Sequence, residues 1–431
     1  MKEKRKLTQL ERSWILYDVG NSAFTLLVST LLPIYFNALA TSAGVDENMY
    51  LSYWGYAGSI ATILVAIIGP ICGTLSDRKG YKKPLFLMCV LLGVLGCAAL
   101  GLAKGWLVFL GIFILAKVGF NGSLVFYDSM LPEITTQERM DDVSTQGYAW
   151  GYIGSVIPFV LCLILVLAGG SFGLDQTAAM VLSFIITALW WLVFTLPLMR
   201  RYRQTAYVER GAHPIADTFR QMAKTFGKAK AQKHIFAYLL AFFFFINGVY
   251  TIIDMATAYG TDLGLDTTGL LLALLLTQIV AFPCAILFGK LSAKHDSAKL
   301  IKICILCYTG ITLFAVFLVS QWQFWVLATL VGMFQGAIQA LSRSYLGKIV
   351  AAEQSGEFYG LMDICGKGAS FLGMALVGFV NQITADVELY VFGLRLQNAN
   401  LAVGILVVLF IIGYVLFCRA DKLNRAYNKQ A

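Results

Sequence analysis

Long apolar runs, each near the length of a membrane-crossing helix, follow one another along the chain with only short polar islands between them. An α-helix rises about 1.5 Å per residue, so crossing the hydrocarbon core takes about 20 apolar residues. Of 431 residues, 58% are hydrophobic and 13% charged, against about 25% charged in soluble proteins. Such runs aggregate in water, so the fold class is an all-α polytopic membrane protein. Periodicity and length place helices at about 14–40, 51–73, 85–103, 106–130, 144–168 and 178–198, then at about 235–260, 268–288, 300–320, 322–346, 357–383 and 398–418. Twelve spans with their connections use the whole length, leaving no sizeable soluble domain. The first run is far longer than the apolar core of a signal peptide, so it reads as a spanning helix.

Charge sets the expected orientation. Of the 33 lysines and arginines, only Lys104 and Arg395 fall on one side of the membrane, and Lys117 and Lys367 fall within helices. All the others crowd the opposite side, which the positive-inside rule makes cytoplasmic. Both termini are then cytoplasmic, and the net charge of +9 is an orientation signal rather than a sign of nucleic-acid binding. The longest polar segment divides the chain into a six-helix bundle at 1–199, a cytoplasmic linker at 200–234 and a second six-helix bundle at 235–431. Arg220 to Lys233 is rich in Ala and Lys and reads either as an amphipathic helix on the inner leaflet or as a plain tether between bundles.

One polar island is highly patterned. Gly73-Thr-Leu-Ser-Asp-Arg-Lys-Gly-Tyr-Lys-Lys-Pro84 places Asp77 among Arg78, Lys79, Lys82 and Lys83, punctuated by Gly73, Gly80 and Pro84. An ordinary basic turn explains the charges but not Asp77 or the glycines. Between two long apolar helices, the spacing of Gly73, Leu75, Asp77, Arg78, Gly80, Lys82 and Lys83 resembles the loop after the second helix of the major facilitator superfamily. Half a chain later, Gly289-Lys-Leu-Ser-Ala-Lys-His-Asp-Ser-Ala-Lys299 keeps Gly289, Leu291, Ser292 and Lys294 in matching places, with Ala293 where Asp77 stands and Asp296 where Gly80 stands. The halves thus form a weak internal repeat, as two pseudo-symmetric transporter halves do.

Ionisable and polar side chains inside the apolar runs are candidates for function, because each needs a partner or a watery path. Lys117 and Lys367 both fall near the midplane, about 15–16 Å into their helices. They would make a cavity attractive to a carboxylate or other anion, or each would merely neutralise a nearby carboxylate, as Asp363, four residues before Lys367, is placed to do. Asp18 and Asn21 lie one turn apart in the first helix, and Asp18 is either a proton or cation site or a structural partner for an arginine. Asn247, Tyr250 and Asp254 share one face of the seventh helix. Gln278, Gln335 and Gln339 add uncharged hydrogen bonders. Such faces line cavities or simply join helices. Asp128 and Arg343 occupy repeat-equivalent places at inner helix ends, where a two-fold arrangement would have them face each other across a gate. Asp77 is expected to favour the positive N-terminus of the eleventh helix near Ser355 and Gly356. Asp77, Arg78, Asp128 and Arg343 are the gating candidates.

No catalytic constellation emerges. His213, His234 and His295 are scattered, no phosphate-cradling G-x-x-x-x-G-K-[ST] loop occurs, and Cys304-x-x-Cys307 lies mid-helix with no histidine near it. The nine cysteines read as small buried hydrophobes. The chain is not expected to be an enzyme, nor to hold a metal or cofactor.

Four further segments resemble one branch of the superfamily: Trp14-x-x-Tyr-Asp-x-x-Asn-Ser-Ala-Phe24, Val125-Phe-Tyr-Asp-Ser-x-Leu-Pro132, Gln339-Ala-Leu-Ser-Arg-Ser344, and Glu357-Phe-Tyr-Gly-Leu361 with Gly366-Lys-Gly-Ala-Ser-Phe371. Together they are similar to the autophagy-related vacuolar amino-acid permeases and their bacterial relatives of unassigned substrate. The resemblance implies the twelve-helix fold and, for the fungal members, amino-acid efflux from the vacuole. Short loops without a large insert look like the bacterial members, which places the chain in a plasma membrane.

The resulting expectation is a secondary transporter working by rocker-switch alternating access as a monomer in the lipid bilayer. It would move a small solute, an amino acid or related anion or zwitterion, by proton-coupled export. Asn21, Lys117, Asn247, Tyr250, Gln278, Gln335, Gln339 and Lys367 would touch the solute at the midplane between the halves. Asp18, Asp254 or Asp363 would carry the proton. Two other readings stay open: a proton-coupled multidrug efflux pump, favoured by aromatic richness and opposed by the two lysines, and a non-transporting receptor or lipid scramblase.

Overall fold

The computed structural model describes residues 6–46, 49–209, 220–221, 224, 232–384, 389–391, 394–396 and 398–430. Most of the 220–233 segment proposed above as an amphipathic helix lies outside these residues. Among the described residues, twelve spans are long and apolar enough to cross a membrane.

The first span is broken in two. Helix α1 (Gln9–Ser29) starts at a capping box, in which the Glu11 N–H donates to Thr8 Oγ1 at 3.1 Å and the Thr8 N–H donates to Glu11 Oε2 at 2.7 Å. It ends before Thr30, and α2 (Leu31–Ser42) continues the span. Pro33 accounts for the break: it donates no hydrogen bond, and its ring crowds the carbonyl four residues back, at Ser29. The remaining helices of the first half are α3 (Tyr50–Ser76), α4 (Lys82–Ala99), α5 (Trp106–Ile134), α6 (Met140–Ala168) and α7 (Gln176–Arg201). Those of the second half are α8 (Lys233–Asp262), α9 (Thr267–Ser292), α10 (Ser297–Val316), α11 (Gln321–Ile349), α12 (Ser355–Ile383) and α13 (Asn398–Gln430). A small antiparallel hairpin, β1 (Leu389–Val391) with β2 (Leu394–Leu396), precedes α13 and pairs Tyr390 with Arg395.

The repeat seen weakly in sequence is plain in the packing. In the first half α1 packs on α7, α3 on α5, and α4 on both α5 and α7. In the second half α8 packs on α13, α9 on α11, and α10 on both α11 and α13. These are the same four pairings, each shifted by one six-helix half. Close helix approach in the first half rests on small residues. A Cβ on Gly93 would overlap the Trp191 ring, and one on Gly119 would overlap the backbone of Gly93.

The chain forms two compact units, and they follow the halves with one exchange. The first comprises Met1–Thr136, Trp150–Thr218 and Ala352–Gly360; the second comprises Gln137–Ala149, Phe219–Ala351 and Leu361–Ala431. Each unit therefore holds the first turns of a helix that continues in the other: α12 begins in the first unit and α6 begins in the second.

Candidate functional site

In the first unit the 73–84 turn receives the start of α12. Gly80 has φ +80°, the left-handed region that glycine enters without strain, and this bends the chain from α3 into α4. Gly73 and Gly356 meet backbone to backbone, since a Cβ on either would overlap the other's carbonyl oxygen. That approach delivers the first amides of α12 to Asp77. The Gly356 N–H donates to Asp77 Oδ1 at 2.7 Å and the Glu357 N–H to Oδ2 at 2.9 Å. A carboxylate there complements the positive end of the helix dipole. Burial pushes the Asp77 carboxyl up to about 7, against the pull of Lys82 and the two amides in the other direction.

Lys82 ties this turn to its surroundings. Its ammonium is wholly buried and lies 3.8 Å from Asp77 Oδ1, 2.9 Å from Glu133 Oε1 and 2.9 Å from Ser355 Oγ. Glu133 is in turn a hub. It accepts from the Tyr202 hydroxyl at 2.9 Å, from the Thr205 and Ala206 amides at 2.6 and 3.1 Å, and from the Thr205 hydroxyl at 3.2 Å. The segment after α7 is thereby fastened under the turn. Gln204 extends the fastening by accepting from the Gly80 N–H at 2.8 Å and donating to the Ser76 carbonyl at 3.0 Å. Val208 adds two backbone hydrogen bonds to Asp77 and Lys79. Arg78 is buried here. Burial and the Glu133 charge push the Tyr202 hydroxyl above its ordinary range.

In the second unit the equivalent turn receives the start of α6. A Cβ on Gly289 would overlap Thr145 Oγ1. The carboxylate here is Asp141, on the helix rather than on the turn. It accepts from Ser297 Oγ at 2.6 Å, Ser344 Oγ at 2.5 Å and Lys348 Nζ at 2.5 Å. Beside it the Arg343 guanidinium donates from Nε to Ser144 Oγ and from Nη2 to the Ser144 carbonyl, both at 2.9 Å, and lies 4.4 Å from the centre of the Tyr148 ring. Asp296, which stands in the place of Gly80, caps α10 by accepting from the Ala298 N–H at 3.1 Å.

The mid-helix candidates divide between the units. In the first, Asn21 is buried and donates to the Tyr17 carbonyl at 3.0 Å and, more weakly, to Asp18 at 3.4 Å. Lys117 is half-buried, over the Phe113 ring at 5.6 Å and next to Gly58. Asp128 is half-buried on α5. In the second, Asp363 and Lys367 form an ion pair one turn apart on α12, with each side chain 17% exposed. Asn247 is wholly buried on α8 and accepts from the Thr251 hydroxyl. Tyr250, one turn on, packs against Gly366 next to Lys367. Asp254 on the same helix is exposed. Gln335 is buried on α11, while Gln339 and Gln278 are half-buried. Tyr250 thus lies by the Asp363–Lys367 turn of α12, while Asn247 lies against Gly373, further along the same helix.

Glu133, Asp141 and Ser144 carry much of this polar structure without standing out in the sequence, whereas Lys82 and Ser355 belong to stretches already singled out there. Lys82 looks like one more orientation charge. Glu133 had the best signal, an acid directly after the patterned Val125–Pro132 segment. Among the described residues no cluster of His, Cys, Asp or Glu has metal-holding geometry.

The fold is shared with solved transporters. The human organic anion transporter MFSD10 superposes with a TM-score of 0.70 at 14% identity, over 95% of this chain and 99% of that one. In sequence, the MFS-type transporter YxiO of Bacillus subtilis is 37% identical over 417 residues, 96% of this chain and 95% of that protein. Autophagy-related protein 22 of Coccidioides immitis is 24% identical over 80% of this chain and 70% of that protein. Twelve spans in two repeated halves, with a patterned turn after the second span, define a secondary transporter of the major facilitator class, a multi-pass protein of the cell membrane and not an enzyme. Residues 8–430 match the family model described as vacuole effluxer Atg22 like, and the chain belongs to that family.

Proposed function

We propose that the chain exports a small amino acid or related anion or zwitterion, with a proton as the coupling ion. The observation that carries this reading is the Asp363–Lys367 pair, largely buried in the middle of a spanning helix and next to Gly366, against which Tyr250 packs. Burying a charge pair in an apolar span is costly unless it works or is tightly partnered. A proton on Asp363 dissolves the pair and frees the Lys367 ammonium for a solute carboxylate. Solute and proton then load together, and efflux is driven when the inside is acid. Asp18 and Asp254 are the other two carboxylates within reach of such a role, and Asn21, Lys117, Gln278, Gln335 and Gln339 complete the proposed polar lining. Asp77, Arg78, Asp128 and Arg343 serve as gating residues, whose contacts bias one of two arrangements by a few kcal/mol.

Counterflow of labelled amino acids in proteoliposomes tests this reading, with and without an imposed pH gradient. Saturable exchange of one amino-acid class, faster with the solute side acid, is the expected result. Lys367→Ala should lower it at least about 100-fold at normal expression, in line with loss of a buried charge partner worth about 3 kcal/mol. Absence of exchange for every amino acid by folded protein overturns the substrate class. Full exchange by Lys367→Ala removes that residue from the site.

A further inference from the structure

In the first unit the strap that follows α7, residues 202–209, is held mainly by polar contacts. Tyr202 is buried, but Arg203, Thr205 and Glu209 are exposed, and Gln204, Ala206, Tyr207 and Val208 are half-buried. The Lys79–Glu209 ion pair at its end lies open to water, with side chains 53% and 74% exposed, and such pairs add little. A segment with few buried apolar groups and wet hydrogen bonds opens locally while the rest of a fold stays intact.

Two links join this strap to the start of α12. The first runs through Glu133 and Lys82. A carboxylate offers about four lone-pair sites. Five donors reach Glu133: the Tyr202 hydroxyl, the Thr205 amide and hydroxyl, the Ala206 amide and the Lys82 ammonium. Lys82 in turn spends its N–H groups on the Ser129 carbonyl at 3.4 Å, Glu133 Oε1 at 2.9 Å and Ser355 Oγ at 2.9 Å. The strap and Lys82 thus compete for one crowded carboxylate, and Ser355 draws one N–H of Lys82 away from it. When Ser355 leaves, that N–H turns to Glu133 and displaces a strap donor. When the strap leaves, Glu133 draws Lys82 from Ser355 and Asp77. The second link is the backbone of Asp77. Its carbonyl accepts from the Val208 N–H at 2.7 Å while its side chain accepts the Gly356 and Glu357 amides. Both links favour strap and helix start seated together.

We propose that the strap is a latch for this junction, and that the strap and the start of α12 release together. The strap is the first part of the linker between the halves, so a displacement of the linker loosens Gly356 and Glu357 from Asp77. The latch concerns the junction and not the solute, so it stands apart from the transport reading.

The test is hydrogen exchange of the full-length protein in nanodiscs, with no solute present. Thr205→Pro removes an amide and a hydroxyl from Glu133 at once. Exchange over the rest of 203–209 should rise at least about tenfold, as loss of two hydrogen bonds to a carboxylate implies. Exchange over 352–360 should rise with it, at least about threefold. Ser355→Ala works from the other side by taking the hydroxyl from Lys82. A coupling between two sites acts both ways, so the strap should then open in its turn. In the double variant the two effects on 352–360 should fall short of their product. Gln204→Ala is the gentler strap variant, since it cuts the hydrogen bonds to the Gly80 amide and the Ser76 carbonyl and leaves Glu133 alone. It should give the same pattern at smaller size, and it carries the test if Thr205→Pro does not fold. Exchange over 137–149, in the second unit, is the control and should stay level throughout. A strap that opens while 352–360 keeps its protection overturns the proposal. So does a rise of equal size over 137–149, which would mark general destabilisation, and so does a strap that keeps its protection in both strap variants.

Discussion

The two patterned turns do the same job with the carboxylate on opposite partners. After α3 the acid belongs to the turn, as Asp77, and the incoming helix α12 contributes only backbone amides. After α9 the turn has Ala293 in that place, and the acid is Asp141, on the incoming helix α6, met by Ser297, Ser344 and Lys348. A duplicated fold needs one negative charge at each of these junctions but does not dictate which chain segment brings it. The difference also sets how each junction responds to disturbance. Asp77 and Lys82 have side chains only 1% and 0% exposed, whereas Lys348 is 23% exposed and can recruit water.

The sharpest break of the comparison is Asp77→Asn. Both Asp77 oxygens accept amides, and an asparagine would turn its NH₂ toward one of those N–H groups and leave Lys82 short of a charge. At pH 8, where Asp77 is above its value of about 7 and ionised, losing one member of this buried charged pair costs about 3–5 kcal/mol. Hydrogen exchange over 352–360 should accelerate at least about 100-fold, and unchanged protection would mean that the Gly73–Gly356 approach alone holds the junction. Asp141→Asn should be milder, about 1–2 kcal/mol, because its partners are two hydroxyls and a partly wet lysine. A melting temperature lowered as much as by Asp77→Asn would erase the proposed asymmetry between the junctions.

A pH titration sharpens the same contrast. The Asp77 carboxyl is pushed up to about 7 where it is buried against α12 and returns toward its ordinary 3.8 when that junction opens into water. A raised value means the closed junction holds the proton more tightly than the open one. Its contribution is therefore complete below about 3.8, is lost as pH rises through about 7, and changes no further above that. Between pH 6 and 8 the closed junction should weaken about tenfold. Exchange protection at Gly356 and Glu357, corrected for intrinsic rates, should fall over this window in wild type and stay level in Asp77→Asn. Protection that grows with pH would show that Lys82 and the helix amides outweigh burial.

These junctions also show what can be read from a sequence of this kind. Span number, the repeat and the turn containing Asp77 follow from local composition, because apolar length and glycine placement act within a few residues. The approach of Asp77 to Ser355 and Gly356 was within reach too, since a helix start and an acid have a physical reason to meet. Lys82 and Glu133 were hidden by their type, as both look like surface charges until the fold buries them in one network with Tyr202 and Thr205. The break at Thr30 was written in Pro33 but masked by the apolar run around it.

The smallest expected effect comes from trying to rebuild the first junction in the second. Ala293→Asp restores the missing acid at the matching position. Ala293 is exposed and its backbone is already helical, so the new carboxylate should meet water instead of the α6 amides. Surface changes of this sort shift stability by less than about 0.5 kcal/mol. Ala293→Asp should leave the melting temperature almost unchanged, and the double variant with Asp141→Asn should melt like Asp141→Asn alone. Rescue in the double variant would mean that the two turns are interchangeable and that the carboxylate's place is an accident of sequence. Failure of rescue would mean that burial around Gly73 and Gly356, not the pattern of the turn, makes the acid at 77 effective.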